Sequence, residues 1–252
     1  MGRGPGFYDI TLYYDAKDFT LRQNLVSELY VMFLNGYKPK GTTRISVTLD
    51  DDEEDYITGY FGSILSVYAK FDKPGYWKSN AAQQNQFILD TIHRIAILCA
   101  DKYGWDKPVF ESAYQEVLES GFVYKQEQKR KLSKDKMHHA SLLLNKDGIM
   151  ATLSAMFYAK NGQLIKSVEL VKTFRHSMFY NVLLKNNKWF NNREFGIHAK
   201  NEELIIKASL DYEEAKIIIT PGFYSADDLE AYLKDIVYSD IVTVPDLLKG
   251  LI

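Results

Sequence analysis

The sequence predicts an α+β fold: a mixed strand and helix region with a helical hairpin, an antiparallel sheet of about six or seven strands, and a C-terminal helix. Three observations carry this expectation. The first half holds long stretches with apolar residues at helical spacing among short β-branched and aromatic runs. The second half turns to period-two alternation broken by Asp147-Gly148 and Asn161-Gly162. The composition, 46% hydrophobic, 25% charged and 14% aromatic over 252 residues, is that of a chain with a packed core, which excludes disorder and collagen-like repeats.

Phe7–Tyr14 reads as a first strand. Asp18 is placed to cap a helix to about Asn35, because Leu21, Leu25, Leu29 and Phe33 recur every four residues and Gly36 follows as a stop. Arg44–Leu49 and Ile57–Phe71 read as strands; in the latter Phe61, Leu65, Val67, Ala69 and Phe71 are expected on one side of the pleat. Asp72-Lys73-Pro74-Gly75 has the chemistry of a turn. Ser79 or Asn80 can cap the longest helix, whose Phe87, Ile88, Ile92, Ile95, Cys99 and Tyr103 precede Gly104. Asp106 with Pro108 opens another helix, carrying Phe110, Ala113, Tyr114, Val117 and Leu118 as far as Gly121, so a helical hairpin on a sheet is expected.

Beyond Val123 the clearest feature is a meander through Met137–Leu144, Ile149–Ala159 and Leu164–Phe174, whose Asp-Gly and Asn-Gly turns tolerate the positive φ of tight hairpins. Met178–Leu184, Phe195–Ala199, Leu204–Leu210 and Lys216–Thr220 add further strands. Ser225 with Asp228 resembles a capping box before a helix carrying Leu229, Tyr232, Leu233 and Ile236, and Pro245 interrupts before a short tail helix. This order suggests a mixed region over residues 1–125 and a β-rich region over 126–252. One continuous domain, with the early helices covering the later sheet, fits the pattern equally.

Charge narrows the function classes. There are 31 Lys+Arg against 33 Asp+Glu, a formal net charge of -2, so bulk steering toward nucleic acid or anionic lipid is missing. No uncharged stretch reaches the roughly 20 apolar residues of a membrane helix, and the start lacks the apolar core of a secretory signal. A cytoplasmic protein is expected. Cys99 is the sole cysteine, which forbids an internal disulfide, and its apolar helical setting reads as a small buried hydrophobe.

The most unusual feature is the acidic run Asp50, Asp51, Asp52, Glu53, Glu54, Asp55. Six consecutive carboxylates repel one another and stay solvated unless a partner neutralises them. An EF-hand is excluded, since counting from Asp50 the glycine and glutamate places hold Asp55 and Phe61. The run reads as a solvated hairpin tip, as a mimic of phosphate backbone that fills the basic groove of a protein partner, or, least favoured, as a looser calcium or magnesium site.

The basic stretch Lys125–Lys136, with six cations and two carboxylates, reads as a charge-protected edge strand in preference to a grip on phosphate or RNA. Trp189, Phe190 and Arg193 lie in an amide-rich connection able to stack a base or sugar, to anchor a protein interface, or to plug a hairpin loop against the sheet. The histidines, His93, His138, His139, His176 and His198, form no metal motif; His138 and His139 would point to opposite faces of a strand, and Asp90 lies one helical turn from His93. Phosphate-loop and nucleophile-elbow motifs are absent.

The function these features favour is a non-enzymatic, protein-binding protein, of the immunity type that neutralises a basic partner such as a nuclease toxin. Its expected partner-binding residues are Asp50–Asp55, Trp189, Phe190 and Arg193, with no catalytic residue, metal or cofactor. Nucleic acid is a less favoured partner. Two other readings stand beside it: an enzyme acting on a nucleotide, sugar or nucleic acid through the Trp189 loop and strand histidines, and a structural subunit of a larger assembly.

Overall fold

Neighbouring parallel strands require a crossover between them, and the first elements of the chain supply one. Strand β1 (Asp9–Tyr13) leads through helix α1 (Lys17–Phe33) to β2 (Arg44–Asp50), which pairs with β1 in parallel. The structure is a computed structural model and describes residues 7–14, 16–51, 54–148, 150–174, 184–198 and 204–219. The chain divides into two compact units, Met1–Tyr124 and Lys125–Ile252. Its class is α+β.

In the first unit, β3 (Tyr56–Phe61) and β4 (Ile64–Lys70) complete a four-stranded sheet in the order β1-β2-β4-β3, with β4 parallel to β2 and antiparallel to β3. After β2 the chain therefore takes the sheet edge as β3, running back along it, and returns through a turn into the gap as β4. That turn at Gly62 has φ +62°, and it breaks what the sequence suggested was one apolar face: Phe61 pairs with Ile64 and is 82% exposed, while Leu65, Val67 and Ala69 are buried.

Helices α2 (Lys73–Lys78), α3 (Ala81–Tyr103) and α4 (Lys107–Glu119) follow. Ile10 and Leu12 of β1, Ile45 and Val47 of β2, and Leu65 and Val67 of β4 share one core with Leu25, Leu29 and Tyr30 of α1, Ile88, Ile92 and Ile95 of α3, and Phe110, Ala113 and Val117 of α4. These helices cover one face of the sheet. Their ends differ in part from expectation. Ala16, not Asp18, is the N-cap of α1; Asp18 stands in the first turn, where its charge complements the helix dipole. Asp72-Lys73-Pro74-Gly75 starts α2 instead of forming an isolated turn, because the Asp72 carboxylate accepts from the Gly75 amide at 2.8 Å and Pro74 suits the first helical turn.

Helix α3 opens with a reciprocal cap, in which Asn80 Oδ1 accepts from the Gln83 amide and Gln83 Oε1 accepts from the Asn80 amide, each at 3.0 Å. It closes at Gly104, left-handed at φ +66°. Replacing Asn80 with alanine is expected to cost about 1 kcal/mol of unfolding free energy, and with aspartate only a few tenths. Chemical denaturation of the two variants measures this difference.

In the second unit, β5 (Tyr124–Glu127), β6 (Lys131–Leu132), β7 (His138–Asp147), β8 (Met150–Ala159) and β9 (Leu164–Phe174) form one antiparallel sheet in the order β5-β7-β8-β9, with β6 also on β7. A second antiparallel sheet runs β10 (Asn187–Trp189), β11 (Glu194–His198), β12 (Leu204–Ser209) and β13 (Lys216–Ile219). The strands expected as one sheet thus fall into two. In β8 the odd positions Ala151, Leu153, Ala155 and Phe157 are buried as the alternation suggested, but Met156 and Tyr158 on the other face are buried too. Tyr158 donates to Glu127 at 2.8 Å, and the Arg130 guanidinium lies 3.6 Å from its ring centre. The connection from β5 to β6 therefore covers that face. The expected strand at Met178–Leu184, apart from Leu184, and the expected C-terminal helices lie outside the described residues.

Candidate functional site

The acidic run lies between β2 and β3, which flank β4 in the sheet, and its two ends, Asp50 and Asp55, are fastened beside the carboxyl end of β4. Asp50 ends β2, and its carbonyl accepts from the Phe71 amide at 2.7 Å. Asp55 turns inward: its Oδ1 accepts from the Lys70 amide at 2.9 Å, and its Oδ2 lies 3.2 Å from Arg94 Nε. Arg94 also donates through Nη2 to the Lys70 carbonyl at 2.7 Å. One arginine of α3 thereby fastens both the last residue of β4 and the last carboxylate of the run. Asp51 lies 3.4 Å from Lys73 Nζ and is exposed, as is Glu54; Asp52 and Glu53 lie outside the described residues.

Beside this run is a cleft of about 730 Å³, lined by Phe71, Pro74, Phe87 and Thr91 together with Asp51, Asp72, Asp90, Lys70 and Arg94. It sits at the carboxyl ends of parallel strands β2 and β4, the place where open α/β sheets leave room for ligands. Phe71 and Phe87 meet edge to face at 6.4 Å between ring centres. Asp72 accepts from the Gly75 amide, and Asp90 accepts from Tyr114 Oη at 2.8 Å and from Gln86 Nε2 at 2.7 Å. All these donors are neutral. Asp72, Asp90 and Arg94 carry no motif that marks them in the sequence; the four-residue spacing of Asp90 and Arg94 on the solvent side of α3 is their only signal.

His93 does not hydrogen-bond to Asp90 as the helical spacing allowed. Its Nδ1 lies 2.9 Å from Tyr30 Oη, and that hydroxyl donates to the Phe110 carbonyl at 3.3 Å. The Tyr30 hydroxyl and the His93 ring thus form one hydrogen-bonded pair that joins α1 to α3. Burial lowers the His93 pKa below 6.5, against the opposing pull of Glu111 and Asp90. Burial also raises that of Tyr30.

The unfolded chain takes up the His93 proton at a higher pH than the folded one, so His93 costs nothing above about pH 6.5 and destabilises as pH falls from there toward its lower folded value. His93→Gln is expected to flatten that part of the curve. Unfolding free energies measured between about pH 5 and about pH 8 check it.

The other expected partner-binding residues, Trp189, Phe190 and Arg193, belong to the second unit. The Trp189 ring packs edge-on against Phe157 at 5.9 Å and Phe195 at 5.4 Å, and its indole N–H donates to the Lys131 carbonyl at 2.9 Å. Phe190 lies under the ammonium groups of Lys188 and Lys207, at 5.3 and 5.9 Å. Arg193 is held by Asp211, with Nε 2.6 Å from both carboxylate oxygens, and this partner raises the arginine pKa and lowers that of the aspartate. The ring and guanidinium faces in this loop are thus largely occupied by neighbours within the unit.

Among the described residues no group of three His, Cys, Asp or Glu side chains is placed to hold a metal ion. His138 Nδ1 is buried with no partner among them, and His176 lies outside them. Cys99 is free and buried, and burial pushes its thiol pKa up to about 12, so it stays protonated. No helix among the described residues is long and apolar enough to cross a membrane. No family model, curated protein or solved structure matches the chain.

Proposed function

We propose that the protein is a non-enzymatic binding protein that acts inside the cell and neutralises a basic protein partner, of the kind a nuclease toxin represents, through the acidic segment at the carboxyl end of its parallel strands. The observation that supports this reading is the charge balance around the acidic run. Asp50, Asp51, Glu54 and Asp55 of the run, with Asp72 and Asp90, place six carboxylates there among the described residues, beside the cations Lys70, Lys73 and Arg94. Carboxylates beside ends fastened through the Asp50 carbonyl and the Asp55 carboxylate meet a cationic surface at a lower ordering cost than those of a free tail.

The test is affinity capture of the tagged protein from its native cells, comparing wild type with a variant carrying Asn or Gln at residues 51–54. Asp50 and Asp55 stay in place because they hold the strand ends. A basic protein retained only by the wild type, and losing its activity on capture, supports an inhibitor. Retention without loss of activity points to a structural subunit instead. Equal retention by both proteins removes the acidic segment from the interface.

A further inference from the structure

The cleft beside the acidic segment has two chemically different parts. Its apolar lining is Phe71, which is buried, Phe87, which is half-buried, and exposed Pro74. Its rim is charged, yet the charges are not equally committed. Arg94 is held by Asp55 and the Lys70 carbonyl, and Asp51 is paired with Lys73. Asp72 and Asp90 accept hydrogen bonds from neutral donors only, and among the described residues no cation pairs with either. The cleft is open to solvent, and its volume of about 730 Å³ leaves room for a single long side chain.

We propose that this cleft receives a lysine or arginine side chain of the protein partner. The alkyl stem lies on Phe71, Phe87 and Pro74, and the cationic head reaches Asp72 and Asp90. This inference rests on the reading of a basic partner given above. Lysine and arginine are the side chains that join a long apolar stem to a charge, so they satisfy apolar lining and rim together. An anion is disfavoured because the lining carries three carboxylates, Asp51, Asp72 and Asp90, against the two cations Lys70 and Arg94, of which Arg94 is already engaged. The cleft also explains what a purely electrostatic loop leaves open, namely how one basic protein is told from another: long-range charge steers encounter, whereas an apolar lining selects the side chain that docks.

The experiment uses the full-length ¹⁵N-labelled protein titrated with acetyl-Leu-Arg-Leu-amide, and with the same peptide carrying citrulline or glutamate at its centre. Citrulline keeps the shape of arginine and removes its charge. The expected result is saturable shifts confined to residues 70–75 and 87–94, with citrulline bound about tenfold more weakly and glutamate not at all. The double variant Asp72→Asn with Asp90→Asn weakens the arginine peptide by about tenfold as well. Both asparagines retain an acceptor for the existing donors, and an amide spectrum unchanged outside the cleft verifies the fold. Equal binding of arginine and citrulline peptides, shifts outside the cleft, or no saturable binding would each overturn the proposal. A captured partner that binds the double variant as tightly as wild type but fails on the 51–54 variant sinks the cleft and leaves the acidic segment standing. Arginine-specific binding in the cleft, with partner capture indifferent to residues 51–54, does the reverse.

Discussion

Replacing Phe19 with alanine is expected to lower the unfolding free energy by about 3–5 kcal/mol, the range for deleting a fully buried aromatic ring. Phe19 is 0% exposed, and its ring meets Tyr14 at 5.3 Å, Phe71 at 5.6 Å and Tyr76 at 5.3 Å, each edge to face or nearly so. It therefore joins α1 to the end of β4 and to α2, three segments that no backbone hydrogen-bond ladder connects directly. Tyr76 is held in this cluster by packing alone: its hydroxyl is buried with no hydrogen-bond partner among the described residues, and burial pushes its pKa up to about 12. An alanine at residue 19 leaves a cavity that these rings fill only by moving. Domains of ordinary stability hold about 5–15 kcal/mol in total, so the loss brings the first unit close to its limit.

The contrasting variant is Phe61→Ser. Phe61 is 82% exposed, and its loss is expected to change stability by no more than about 0.5 kcal/mol. Both are measured by denaturant unfolding, with buried Trp105 as the fluorescent reporter after Trp77 and Trp189 are replaced by phenylalanine. A loss below about 1 kcal/mol for Phe19→Ala would contradict the packing described here. Because Phe71 also lines the cleft, the same cavity is expected to blur the binding site before the unit unfolds.

How much of this was legible in the sequence depends on whether an element is specified locally. Helix α3 was, because its cap at Asn80, its period through Ile88, Ile92, Ile95 and Cys99, and its stop at Gly104 all lie within the segment itself. The hairpin of β7 and β8 was legible for the same reason, in the turn at Asp147-Gly148. The turn at Gly62 was not: a glycine within a period-two run leaves the run looking continuous, and only the position of Phe61 on the other side of the turn reveals the break. Sheet membership was hidden too, since alternation fixes which face of a strand is buried and says nothing about which strand lies beside it. The candidate site shows the same division. The acidic residues announce themselves, whereas Asp72, Asp90 and Arg94 become a site only where the ends of β2 and β4 meet α3.

Neutralising residues 51–54 is expected to weaken the complex with a basic partner by about 2–4 kcal/mol at low ionic strength, roughly thirty- to a thousandfold, as the sum of several partly exposed charge interactions. The loss should appear mainly in the association rate, because charges at the rim of an interface steer encounter more than they hold the bound state. It should also shrink as salt rises, since the Debye length falls from about 10 Å at 0.1 M to about 3 Å at 1 M and screens wild type toward the behaviour of the variant. Equal association rates for the two proteins at low salt would exclude steering by this segment. Asp55→Asn provides the control that separates charge from structure. It removes one carboxylate, a small change in the field, but it takes the charge from the group that fastens Arg94 and the Lys70 amide. Its expected signature is therefore a loss of local order at Lys70 and Arg94 with little change in the salt dependence, the opposite of what the 51–54 variant does. If the two variants behaved alike, the charge of the segment and its anchoring would be one property, and the field of the acidic run could not be credited with recognition apart from the anchors that hold its ends beside β4.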